Sequence, residues 1–181
     1  ADVVLINKIG TANPRDVVHI EDSQKRLNPQ ASVIKADSVV TVTDAEKIKG
    51  KNVLVIEDGP TLTHGEMQYG AGVVAARQAG AATMVDPRPY AVGSIKTTFV
   101  KYPRTGHLLP AMGYDEQQVQ DLKATINAVP CDLVIVGTPF DLGRLIPDCK
   151  HPLHKVSYEL DEMSVRELGK TISMFLEKRE K

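Results

Sequence analysis

The chain has 181 residues, 42% hydrophobic and 25% charged, a globular composition long enough to bury a core without disulfides or a structural metal. Lys and Arg number 22 against 23 Asp and Glu, the net charge is -1, and aromatics make up 4% with no Trp, which excludes a broad basic or base-stacking surface for nucleic acid. The longest apolar runs are four residues, far short of a bilayer span, and no basic-then-apolar leader opens the chain, so no membrane partner is expected.

Val3–Ile6 reads as a buried strand. Pro14 follows at a helix start with Asn13 as N-cap, and that helix runs to about Leu27, before Asn28-Pro29. Residues 31–35 form the next strand candidate and 39–42 a weaker one. Residues 44–51 are polar, basic and carry Gly50, a domain boundary. Residues 53–56 begin a new series. A helix is expected over 66–78 with Gly80 as its stop, a strand over 82–85, and a mostly helical stretch over 90–102. A short strand at 108–109 precedes a helix capped by Asp115 and running to about 128. Residues 133–136 are the clearest buried strand, 154–160 an edge strand, and 164–178 a final helix capped by Ser164.

Repeated alternation of strand and helix argues for an α/β fold, a mostly parallel sheet with helices on both faces, Rossmann-like over 51–181. In such sheets ligands bind beyond the carboxyl ends of the strands. The residues there are polar and glycine-rich: Asp58-Gly59 through Thr61, Thr63 and His64; Asp86-Pro87-Arg88-Pro89; Pro110-Ala111-Met112; and Gly137-Thr138 through Asp141 and Arg144. Four loops are thus expected to converge on one rim.

Within Asp58 to Gly65, glycines permit close backbone approach, and the next helix turns its N–H groups toward the rim. Thr61 and Thr63 suit phosphate oxygens, and His64 an acid, base or hydrogen-bond role. The same residues also make an ordinary turn with a helix cap. Arg88 is presented stiffly between two prolines; with Arg144 and Lys96 it makes a cationic mouth for phosphate or carboxylate, or else pairs with surface acids. Asp58, Asp86 and Asp141 offer oxygens for Mg²⁺, or else cap turns and pair with those arginines. The other histidines follow no metal-binding spacing. Cys131 and Cys149 form no CxxC pair and read as free thiols of a reducing cytoplasm.

Asn7-Lys8-Ile9-Gly10 follows the first strand. An Asn-Lys-x-Asp at a strand end holds guanine in GTPases; here Gly10 stands where the Asp would be. No GxxxxGK[ST] occurs in the chain. Residues 1–46 therefore read as the C-terminal remnant of a P-loop NTPase-like domain, with the P-loop segment upstream as a partner.

Six strings carry a resemblance: residues 6–9, 57–67, 69–77, 86–94, 109–114 and 137–145. On them the chain resembles the cyclic 2,3-diphosphoglycerate synthetases and related P-loop GTPase-like proteins. The resemblance implies ATP-dependent cyclisation of a small phosphorylated metabolite, with ATP or GTP and Mg²⁺ as cofactors. It implies catalytic roles for His64, Arg88 and Arg144, and nucleotide or substrate contacts for Asn7, Lys8, Asp58, Gly59, Thr61, Thr63, Gly137, Thr138 and Asp141. The alternative is a phosphometabolite- or nucleotide-binding module without turnover. A homo-oligomer is compatible with either reading.

Overall fold

The computed structural model describes residues 1–59, 69–112 and 115–179. The chain folds as two compact units, residues 1–39 with 158–181, and residues 40–157.

The first unit opens with strand β1 (Val3–Ile6), helix α1 (Pro14–Leu27) and strand β2 (Ser32–Lys35). The β1 and β2 strands pair in parallel, Val3 opposite Ser32 and Ile6 opposite Lys35. The Asn13 side chain accepts from the Arg15 N–H, as expected of an N-cap before Pro14. The C-terminal helix, α6 (Glu162–Arg179), belongs to this unit. Its cap is Asp161 rather than Ser164, which lies within the helix. The Asp161 carboxylate accepts the Ser164 N–H at 3.0 Å, the Ser164 hydroxyl, and the Asp37 N–H at 3.0 Å.

Those donors, Ser164 first, hold the Asp161 carboxyl down at about 2, below its ordinary 3.8. Its contribution to stability is therefore complete above pH 3.8 and fades as pH falls from there through about 2. Asp161→Asn is expected to lower the urea midpoint at pH 6 and to weaken its decline between pH 4 and pH 2.

The second unit is built on strands β4 (Asn52–Asp58), β5 (Thr83–Met84), β6 (Leu109–Ala111) and β7 (Leu133–Gly137), with most of β3 (Ser38–Val42) and β8 (Leu153–Leu160), whose residues 38–39 and 158–160 fall in the first unit. Their order is β3-β8-β7-β4-β5, with β6 also joined to β4. The β4 strand pairs in parallel with β5, β6 and β7, and β7 pairs in parallel with β8. The sheet is thus mostly parallel, as the strand–helix alternation predicts. The β8 strand is interior, between β3 and β7, not the edge strand its polar alternation predicts. Its His154 is buried, with Nδ1 2.8 Å from the Thr43 carbonyl oxygen.

Helices α2 (Ala71–Gln78), α3 (Gly93–Lys101), α4 (Glu116–Ala128) and the single turn α5 (Leu142–Leu145) connect these strands. A separate turn at Arg88–Tyr90 precedes α3, so the expected 90–102 helix is broken at Ala91, whose backbone is extended. Asp115 caps α4 as expected, accepting the Gln118 N–H at 2.8 Å.

The β4 and β7 strands are buried on both sides, and their residues alternate between two cores. Leu54, Ile56, Val134 and Val136 pack with Ile95, Phe99, Leu122 and Ile126. Val53, Val55, Leu133 and Ile135 pack with Val73, Ala75 and Ala76 of α2. Each such aliphatic side chain contributes roughly 1.5–3 kcal/mol on burial. Helices therefore cover both faces of the sheet. Among the described residues no helix is long and apolar enough to cross a membrane.

Candidate functional site

Register brings three strand ends together. Asp58 at the end of β4 lies opposite Ala111 of β6, and Glu57 lies opposite both Pro110 and Gly137, the last residue of β7. The carboxyl ends of β4, β6 and β7 therefore lie side by side. Gly59 comes so close to β6 that a Cβ there would sit 2.5 Å from the Ala111 carbonyl oxygen. Thr138 is buried, and its hydroxyl lies 3.4 Å from the Phe140 nitrogen as acceptor. Asp141 caps α5, accepting the Arg144 N–H at 3.2 Å, and Arg144 is exposed. Thr61, Thr63 and His64 lie outside the described residues.

The loop after β5 starts lower. The β5 strand pairs only with Asn52 and Val53, and β6 takes over beside β4 from Ile56 onward. Arg88 consequently meets the segment that leads into β6. Its guanidinium grips Asp86 with Nη1 at 3.0 and 3.1 Å from the two carboxylate oxygens. Nη2 donates to the Thr105 carbonyl and, at 3.3 Å, to the Gly106 carbonyl. The guanidinium carbon stands 5.4 Å from the Phe99 ring centre. All of these bonds are internal, and they tie the β5 loop to the β6 approach. Arg88→Ala is expected to cost about 2 kcal/mol, read as a lowered urea midpoint, because charged hydrogen bonds to carbonyls are lost. Arg88→Lys recovers little of it, since one ammonium cannot copy the planar fork. Lys96 is exposed on α3.

Asn7 and Lys8 belong to the first unit. The Asn7 amide donates to the Ser38 hydroxyl at 3.0 Å, and its oxygen accepts the Lys8 N–H at 2.7 Å. Lys8 has a positive φ of 64°. A side chain at Gly10 would collide with the Asp37 carboxylate. The space beside Gly10 is thus taken by the Asp37 carboxylate, which also accepts the Ser38 N–H at 2.9 Å.

The residue sequence reasoning missed is Glu57. Strand alternation turns it to the α2 side of β4, after Val53 and Val55. It is 3% exposed. Its Oε1 accepts the Gly70 N–H at 3.1 Å and the Val73 N–H at 2.9 Å, at the N-terminus of α2. Three glycines make room for it. A Cβ at Gly70 would lie 2.5 Å from Glu57 Oε2, one at Gly137 2.6 Å from the same oxygen, and one at Gly72 3.1 Å from Oε1. The anion expected at this helix end is the protein's own carboxylate. Burial pushes the Glu57 carboxyl up from its ordinary 4.5 to about 7. Hydrogen bonds from Val73, Gly70 and Gly72 oppose that rise, and neighbouring Asp58 adds to it. The signal available in sequence was Tyr69-Gly70-Ala71-Gly72 set against an acid at an odd position of β4.

Fold and rim together define an α/β domain with a polar edge at the carboxyl ends of a parallel sheet. No family model matches the chain. Over all 181 of its residues the chain is 50% identical to the protein named Arginine synthetase ArcE from Thermococcus kodakarensis, and it spans 40% of that protein's length.

Proposed function

We propose that the chain is a portion of a nucleotide-dependent synthetase whose product is arginine. The observation that carries this reading is the 50% identity across all 181 residues to a protein of that name. A guanidinium is recognised by carboxylates through two parallel hydrogen bonds, and the chain carries Asp58 at the end of β4 and Asp141 in the segment after β7.

Synthetase chemistry calls for ATP or GTP with Mg²⁺. Among the described residues no group of three or more His, Cys, Asp or Glu is arranged to hold a metal. The α2 N-terminus, a usual seat for phosphate, already holds Glu57. The head of α2 is thus taken by Glu57, and no step is assigned to the nucleotide or the metal.

A second reading, ATP-dependent cyclisation of 2,3-diphosphoglycerate, is favoured by the strings at 57–67 and 86–94. Under it His64, Arg88 and Arg144 would meet the phosphates, and Asn7 and Lys8 the base. A thermal-unfolding series separates the two, because a ligand that binds only the folded state raises the midpoint. Arginine, MgATP, MgGTP and 2,3-diphosphoglycerate are added singly. Arginine is expected to raise the midpoint. A rise with 2,3-diphosphoglycerate and none with arginine would replace the first reading by the second.

A further inference from the structure

The β1 strand has a second edge. The Ser32 N–H bonds to the Asp2 carbonyl, and the Ala36 N–H to the Ile6 carbonyl. Within a strand, the N–H and C=O of one residue point to one side and those of the next residue to the other. Asp2, Val4 and Ile6 therefore serve β2, whereas Val3 and Leu5 turn their backbone groups the opposite way. Among the described residues β1 pairs with β2 alone. A parallel pair of this kind is ordinarily interior to a larger sheet, covered on both faces.

The α1 helix agrees. None of its residues is buried. Glu21 reaches Lys35 of β2 at 2.5 Å, which fixes the flank of α1 that faces β2. At about 100° per residue, Ile20 and Leu27 fall on the opposite flank of the line through Val17 and Gln24, on the β1 side. Ile20 is 48% and Leu27 76% exposed, and Leu5 on β1 is 38% exposed. Unpaired backbone groups and an uncovered apolar flank thus lie along the same border.

We infer that this border, the outer edge of Val3–Ile6 with Ile20 and Leu27 of α1, is where the remainder of the synthetase docks, adding an extended strand beside β1. The occupant is the part of such an enzyme that this chain does not span. It is favoured over a second copy because the chain covers only 40% of a relative to which it is 50% identical throughout. The inference rests on the synthetase reading only for the identity of that occupant.

The test compares the isolated 181-residue chain with the intact Thermococcus enzyme by amide hydrogen exchange. In the isolated chain the Val3 and Leu5 amides are expected to exchange quickly while Val4 and Ile6 are protected. In the intact enzyme the amides aligned with Val3 and Leu5 are expected to exchange at least about a hundredfold more slowly. Leu5→Pro removes only an outward N–H, so it should leave the isolated chain's melting point nearly unchanged. The aligned substitution should lower that of the intact enzyme. Equal exchange at these amides in both proteins would overturn the inference. So would sedimentation of the isolated chain as a dimer with Val3 and Leu5 protected, since a second copy would then occupy the edge. Neither readout depends on arginine binding, so the ligand series can fail while this result stands.

Discussion

Replacing Gly137 with alanine is expected to destabilise the second unit by about 3 kcal/mol, the upper range for an overpacked interior. The added methyl would stand 2.6 Å from Glu57 Oε2 and 2.8 Å from the Gly72 backbone nitrogen. A flexible side-chain tip could swing aside, but this carboxylate is fixed by the Gly70 and Val73 N–H groups. The Gly72 nitrogen is helix backbone and cannot yield without moving α2. Adding Glu57→Ala should therefore relieve only part of the loss, because the clash with Gly72 persists. Urea midpoints of the two single variants and the double variant check this. A Gly137→Ala midpoint equal to that of the unaltered protein would mean that β7 and α2 do not close around Glu57.

The second large effect is a pH dependence. The unfolded chain releases the Glu57 proton near 4.5, and the folded chain near 7. Between those values the folded form holds more protons than the unfolded form. Stability consequently falls as pH rises through that window and levels off above it. At about 1.4 kcal/mol per pH unit, the part due to Glu57 comes to about 3 kcal/mol. Asp161 acts with opposite sign, but below 3.8, so the two windows do not overlap. Glu57→Gln keeps the shape and removes the charge. It should flatten the stability profile between pH 5 and pH 7 while leaving the acid limb in place. Urea unfolding at half-unit pH intervals reads both limbs.

The parts of the fold that sequence made legible are those where one residue pattern admits one structure. Val53–Ile56 and Leu133–Val136 are unbroken aliphatic runs, and only a strand buried on both faces accommodates them at that length. Asn13-Pro14 and Asp115 mark helix starts by local chemistry alone. What failed depended on neighbours distant in sequence. The β8 strand alternates polar and apolar residues like an edge, yet its buried His154 ring meets the Thr43 carbonyl and its Lys155 backbone N–H donates to the Thr43 hydroxyl, both from the segment after β3. Ser164 has the composition of a cap, but Asp161 three residues earlier takes that place and is fixed by Asp37.

The rim divides along the same line. That β4, β6 and β7 end at one edge follows from parallel pairing, which strand–helix alternation predicts. The depth of the β5 loop does not follow, because it depends on β5 ending beside Val53 and on β6 replacing it. Arg88 between two prolines looks presented to solvent, whereas carbonyls 17 and 18 residues further on receive it. Glu57 was obscured by its neighbour Asp58, the more conspicuous acid at a strand end. Its burial emerges only when β4 alternation is combined with glycines at 70, 72 and 137.

The Glu57 carboxyl group sits buried among three glycines at the head of α2, on the middle strand of the candidate site. Carbon-13 NMR of the Glu57 side-chain carboxyl, followed from pH 3 to pH 9, reads it directly. A titration midpoint near 7 is the result expected of the buried group; a midpoint near 4.5 would place that carboxylate in water and contradict the account.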